Sequence, residues 1–230
     1  MTTLRAASRN QDPQANSIIR MNALDQFGER LASRQGSTTV YNPYELIGPS
    51  SNLGHYLRCL LEANCGVLAI GEAPGYLGCK LTGIPFTSES VLRQARHPSL
   101  RKIASFSRIE GNCSERSASR IWRVLEEFNS FPVLWNAFPF HPHSAGNCES
   151  NRTPNSSELQ EGLAFLSQLV DLFKPKRIVA MGGPAFKTAS RLKRGITLVQ
   201  IPHPANREKN GPAIFADGLR MVLAESQRTQ

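Results

Sequence analysis

Apolar and polar positions change rhythm several times along this chain. The segment "SSNLGHYLRCLLEAN" sets Leu53, Tyr56, Leu57, Leu60 and Leu61 at helical spacing behind two serines, which predicts an amphipathic helix. "CGVLAIG" follows as a short unbroken apolar run ending at Gly71, the mark of a strand covered on both faces. The alternation then repeats. A helix in "SERSASRIWRVLEEFN" carries Ile121, Trp122, Leu125 and Phe128 on one side, and "FPVLWN" reads as the next buried strand. A helix from about Ser157 to Phe173, a strand "RIVAMG", a helix "PAFKTASRLKR", a strand "ITLVQI" and a last helix from about Pro212 to Ser226 complete the series. Strands alternating with helices at this spacing imply parallel βαβ units. The expected fold class is therefore α/β: a three-layer α/β/α sandwich around a central, mainly parallel four-stranded sheet.

The first 36 residues break this pattern. They mix Ser, Asn, Gln, Arg and Gly with little periodicity and read as a mobile tail, with room for one short helix at Ile18 to Arg34. The folded domain is expected from residue 37 to residue 230. At 230 residues and 40% hydrophobic, the chain can bury one full core.

In open parallel sheets, ligands bind outside the carboxyl ends of the strands. Here four segments lie just past those ends: Gly71 to Gly75, Asn136 to Phe140, Gly182 to Pro184, and His203 to Asn206. They should share one rim. Its polar inventory is one carboxylate (Glu72), one amide (Asn136) and one histidine (His203), with Phe86, Tyr76, Phe138 and Phe140 as aromatic faces. The glycine-rich stretch fails both common phosphate fingerprints. Gly78 and Gly83 have the Walker spacing, but Ile84 and Pro85 follow where Lys and Ser or Thr belong, and GxGxxG does not occur. What remains suits a single nucleobase: an amide can match a base edge while a ring stacks on its face.

Charge points to the same partner. The formal net charge is +9, and Lys174 to Arg194 holds seven basic residues and no acid. Lysine and arginine that neutralise phosphates release counterions and drive association with nucleic acid. The N-terminus lacks an apolar signal core, and no apolar run is long enough to span a membrane, so a cytoplasmic protein without membrane contact is expected. The five cysteines form no CxxC pair, so neither a disulfide framework nor a zinc ribbon is indicated. His141, His143 and Cys148 lie close together but lack a convergent fourth ligand, and no metal is expected.

"GEAPGYLGCKLTGIPF", "LWNAFPFHPH" and "IPHPANREKN", in this order and each following a strand, resemble the uracil-DNA glycosylase superfamily, closest to its GEAPG branch. The resemblance runs from about Cys65 to Leu223. It implies a monofunctional DNA glycosylase that flips a base, uracil by default, and hydrolyses its N-glycosidic bond. Phe86 would stack on that base and Asn136 would read its edge. His203 would donate to O2 of the departing pyrimidine, and Glu72 would place the attacking water. Gly71, Ala73 and Gly75 would complete the base-binding wall. Gly183 and Lys187 would meet the DNA backbone, with Asn206 and Arg207 in a loop that enters the minor groove.

The chain departs from the pattern in three ways. Ala73 stands where the best-known uracil-specific branch has its catalytic aspartate, which leaves a non-catalytic DNA-binding homologue as an alternative. Gly75 replaces that branch's tyrosine, which excludes C5 substituents, so room is expected for hypoxanthine or a bulky modified pyrimidine. The iron–sulfur cluster frequent in the GEAPG branch has no matching cysteines here, and no cofactor is expected. A monomer acting on single- or double-stranded DNA is the simplest expectation.

Overall fold

The computed structural model describes residues 13–63 and 66–228. The chain opens with a helix α1 (Pro13–Ala32), a two-residue strand β1 (Val40–Tyr41) and a long helix α2 (Ile47–Ala63), which leads into the first sheet strand β2 (Val67–Gly71). Three short helices follow, α3 (Cys79–Thr82), α4 (Glu89–Arg93) and α5 (Pro98–Phe106), then α6 (Arg116–Leu125) and β3 (Val133–Asn136). A second two-residue strand β4 (His141–Pro142), helix α7 (Ser156–Phe173), strand β5 (Arg177–Met181), helix α8 (Gly183–Ala189), strand β6 (Thr197–Ile201) and helix α9 (Gly211–Arg228) complete it.

The expected architecture is borne out. The central sheet has the order β3-β2-β5-β6 with every pair parallel, and helices flank it. Every residue of β2 and β3 is buried, which is why both read as continuous apolar runs. Strand β6 lies at the sheet edge and exposes Thr197 and Gln200. Among the described residues, no helix is long and apolar enough to cross a membrane.

The expected tail needs correction from residue 13 onward. Helix α1 is 20 residues long and buries Leu24, Phe27 and Leu31 in the main core. The Phe27 ring lies 5.5 Å from Trp135 of β3 and 6.1 Å from Phe165 of α7, centroid to centroid. Burying three such side chains contributes several kcal/mol, about 1.5–3 each. This segment is therefore part of the domain. Residues 1–12 of the expected tail lie outside the described residues.

Two features fix the backbone that follows β3. The short strand β4 pairs antiparallel with β1, placing His141 opposite Tyr41, and the His143 amide extends this by donating to the Thr39 carbonyl at 2.9 Å. Helix α7 approaches from the other side through Gly162. A Cβ there would stand 1.9 Å from the Ala137 carbonyl oxygen and 3.0 Å from the Phe138 Cα. Since backbone cannot yield as a side-chain tip can, Gly162→Ala should destabilise the fold by about 2–3 kcal/mol, read as a lower denaturant midpoint at unchanged slope.

Candidate active site

The sheet's hydrogen bonding continues past its strand ends and draws the rim together. Gly71 pairs with Asn136 in register; beyond them the Ala137 amide donates to the Gly71 carbonyl at 2.8 Å and the Phe138 amide to the Glu72 carbonyl at 3.0 Å. On the far side the Gly182 amide donates to the Ile201 carbonyl at 2.9 Å. Between these ends lies a cavity of about 310 Å³ whose wall includes Glu72, Phe86, Glu115, Asn136, Arg152 and His203. It opens on the His203 flank into a depression lined by Gly182, Gly183, Gln200 and Asn206. On the Glu115 flank it opens into a groove lined by Tyr76, Ser114, Arg116 and Arg207.

Phe86 is held against its intrinsic preference. Its φ is 51°, in the left-handed region that costs a non-glycine residue about 1–3 kcal/mol. The surroundings enforce it: the Trp122 indole N–H donates to the Phe86 carbonyl at 3.1 Å, and the Thr82 hydroxyl donates to the Thr87 carbonyl at 2.8 Å. This geometry lays the Phe86 ring directly over Gly71, where a Cβ would fall 2.1 Å from Cζ. Gly71 therefore sits behind the ring and is absent from the cavity wall, contrary to its expected place among the base-binding residues.

Asn136 ends β3 at only 2% exposure. Its side-chain amide has no hydrogen-bond partner among the described residues, although it faces the cavity. Buried amides are normally satisfied, so this donor and acceptor stand ready for a ligand.

His203 is positioned by its own turn. Its Nδ1 accepts from the Ala205 amide at 3.1 Å, which leaves the proton on Nε2, and burial lowers its pKa to about 4. The ring at neutral pH is thus an uncharged Nε2–H donor. Arg120 of α6 fastens the same turn by donating to the Pro204 carbonyl.

The wall beyond Glu72 is braced from behind. The His141 ring is fully buried between the Pro74 carbonyl at 2.8 Å and the Cys148 carbonyl at 3.1 Å, donating to one of them in its neutral form. Arg152 grips Glu158 with two parallel hydrogen bonds of 2.8 and 2.6 Å, and the Asn151 side chain accepts from the Tyr76 amide at 3.1 Å. Cys79 reaches the cavity wall, but burial pushes its thiol well above the usual range and keeps it protonated. Among the described residues, no group of three or more His, Cys, Asp and Glu side chains is placed to hold a metal ion.

Glu115 stands at the N-cap of α6 without capping it. Its carboxyl lies over the Cα atoms of Gly75 and Gly78 and has no hydrogen-bond partner among the described residues. Desolvation raises its pKa from 4.5 to about 7. A proton held more tightly in the folded state adds stability below pH 4.5 that is lost as pH rises through about 7. Glu115→Gln should therefore raise the melting temperature more at pH 8.5 than at pH 5, measured side by side with the wild type.

A glycine-rich turn past β2, a strand-ending amide and a neutral histidine around one small cavity match the three motifs that suggested a glycosylase. The family model described as the Uracil DNA glycosylase superfamily matches residues 60–221. This chain belongs to the uracil-DNA glycosylase superfamily. Members of that superfamily are DNA glycosylases and act on DNA. Among solved structures, the crystal structure of wild-type SMUG2 from Pedobacter heparinus is similar in fold, with a TM-score of 0.65 and 17% identity over 91% of this chain and 97% of that one. A search of curated proteins finds no match.

Against this uracil-DNA glycosylase frame, the structure brings Glu72, Ala73, Gly75, Phe86, Asn136 and His203 to one cavity. Gly183 and Asn206 line the adjoining depression and Arg207 the opposite groove. The Asn206 side chain is turned into its own loop, accepting from the Glu208 amide at 3.1 Å and packing on Gly211. Lys187 is exposed on the last turn of α8 and lines neither the cavity nor these two extensions. Phe138 and Phe140, expected as rim aromatics, are fully buried core residues. Sequence reasoning missed Glu115 and the Asn151–Thr153 wall. For the wall a signal was available, since "NRTPNSSE" ends in a capping box at Asn155 and Glu158 that fixes the chain just before it.

Proposed function

We propose that this chain is a monofunctional DNA glycosylase that takes one extruded base, uracil by default, into the cavity and hydrolyses its N-glycosidic bond without a cofactor. The observation that carries this reading is the unpartnered Asn136 amide facing the same cavity as the neutral His203 ring and the Phe86 face. An amide presents one donor and one acceptor side by side, the complement of the uracil N3–H and O4. With Asn136 on that edge and Phe86 on the ring face, His203 Nε2–H meets O2. Negative charge develops on O2 as the bond to the sugar lengthens, so a fixed uncharged donor there lowers the barrier. Glu72, on the cavity wall and in the neighbouring depression, has the position to hold water beneath the sugar as it acquires oxocarbenium character.

DNA is expected to lie across the two extensions of the cavity, with Arg207 on its minor-groove side. Arg207→Ala should weaken binding about equally for all sequences and lower the salt slope of log affinity by about 1. A second reading, a homologue that binds but does not turn over, is favoured by Ala73 at the position of the missing carboxylate. Single-turnover excision from single- and double-stranded oligonucleotides carrying uracil, hypoxanthine or a modified pyrimidine separates the two. Release of a base supports the enzyme, whereas tight binding with every base retained supports the binder.

A further inference from the structure

The two extensions of the cavity differ in what lines them. Among the described residues, the depression on the His203 flank has no Lys, Arg, Tyr or Phe in its wall. The groove on the Glu115 flank has Tyr76, Arg116 and Arg207. Its volume is about 470 Å³, more than the 310 Å³ of the cavity itself, and Gly75, Glu115, Ser117, Asn151 and Ala205 line both spaces. If the cavity holds one base, the groove has room for another.

The lining suits a nucleotide. Tyr76 is half-buried, its amide is held by the Asn151 side chain, and its ring has no aromatic or cationic partner among the described residues. Such a ring can stack on any base. Arg116 and Arg207 are exposed and have no hydrogen-bond or ion-pair partner among the described residues, which leaves both guanidinium groups free for phosphates. The room expected at Gly75 is taken by the Glu115 carboxyl: a Cβ on Gly75 would stand 2.6 Å from Oε1, and one on Gly78 would stand 2.0 Å from Oε2. The loop that delivers Glu115 is fixed by Glu89, whose carboxylate accepts from the Gly111 amide at 2.7 Å and the Cys113 amide at 2.9 Å. Glu115 has no hydrogen-bond partner among the described residues, and an ionised carboxyl only accepts. A base that brings an N–H to it is favoured, whereas one that brings a carbonyl leaves it desolvated and unpaired. This step rests on the glycosylase reading above. We propose that the groove is a second nucleotide subsite, which takes the base next to the excised one, unstacked from its strand, and prefers a base with an exocyclic amino group. Tyr76 stacks on that base, Glu115 accepts from its amino group, and Arg116 and Arg207 hold the phosphates beside it. Freeing this neighbour from a duplex costs a further base pair, so the preference is strongest on single-stranded DNA.

The test compares wild type, Tyr76→Ala and Glu115→Ala on single-stranded oligonucleotides with uracil as the target. The neighbour on the 5′ or the 3′ side is varied among 5-methylcytosine, thymine and an abasic linker. The two pyrimidines differ only at the base edge, where one has an amino group and the other a carbonyl. Release is followed as kcat/KM, and affinity on non-hydrolysable 2′-fluoroarabino forms of the target nucleotide. On one side only, wild type should favour 5-methylcytosine by about tenfold over thymine and over the linker. Glu115→Ala should bring the two pyrimidines within about twofold of each other. Tyr76→Ala should instead reduce the advantage of 5-methylcytosine over the linker to about twofold. No dependence on either neighbour in the wild type, or a dependence that both variants leave unchanged, overturns the proposal. Uracil release indifferent to both neighbours rejects the subsite and keeps the glycosylase reading. Affinities that sort as expected with no base released reject the glycosylase reading and keep the groove as a nucleotide site.

Discussion

Replacing His203 by alanine should slow base release about 10²- to 10³-fold, the loss typical of removing one fixed donor from a developing oxyanion. The affinity for undamaged DNA should stay within about threefold, because that affinity comes mainly from phosphate contacts made elsewhere. The physical reason for so large an effect is preorganisation. The Ala205 amide fixes the tautomer at 3.1 Å from Nδ1, and burial keeps the ring uncharged, with a pKa near 4. The Nε2–H is therefore in place before charge appears, with no proton to be gained first. Nitrogen chemical shifts of the His203 ring should report one neutral tautomer from pH 8 down to pH 5. A ring that titrates near 6.5 would instead be partly charged at neutral pH and would contradict a preorganised neutral donor.

Asn136→Ala is the second large effect, and its signature is different. Losing both edge contacts should lower uracil release and shrink the preference for uracil over cytosine by about 10- to 100-fold, the worth of a good bidentate pair. His203→Ala should slow whatever is bound without relaxing that choice. A variant of Asn136 that slowed release but kept full discrimination would show that the edge is read by another residue. The backbone of Asn136 is tied into the sheet opposite Gly71, so the truncation should leave the fold intact.

The placement of these residues was legible in the sequence because topology dictates it. Glu72, Asn136 and His203 each follow a strand of a parallel sheet, and the carboxyl ends of such strands necessarily share a rim. Glu115 escaped because it reaches the cavity from the start of α6, where an acid before a run of Ser, Ala and Arg reads as ordinary helix-start chemistry. Its place at the cavity depends on two glycines some forty residues upstream that nothing local to it announces. Helix α1 was undervalued for a related reason. Leu24, Phe27 and Leu31 have helical spacing, but the polar residues around them dilute the pattern, and its meaning comes from the partners Trp135 and Phe165. Strands β1 and β4 are two residues each, too short for any periodicity. Gly71 was assigned to the wall because it lies in the motif; the strained Phe86 backbone that places a ring over it is a tertiary property.

Under the proposed function one N-glycosidic bond is hydrolysed and the cleaved base leaves intact. The most direct measurement is mass spectrometry of a single turnover on a uracil-containing oligonucleotide in ¹⁸O-labelled water. Free uracil should appear together with an abasic strand that carries the label at the sugar and stays uncut until alkali is added. Uracil retained on fully bound DNA, or a strand released as a covalent adduct to the protein, would contradict it.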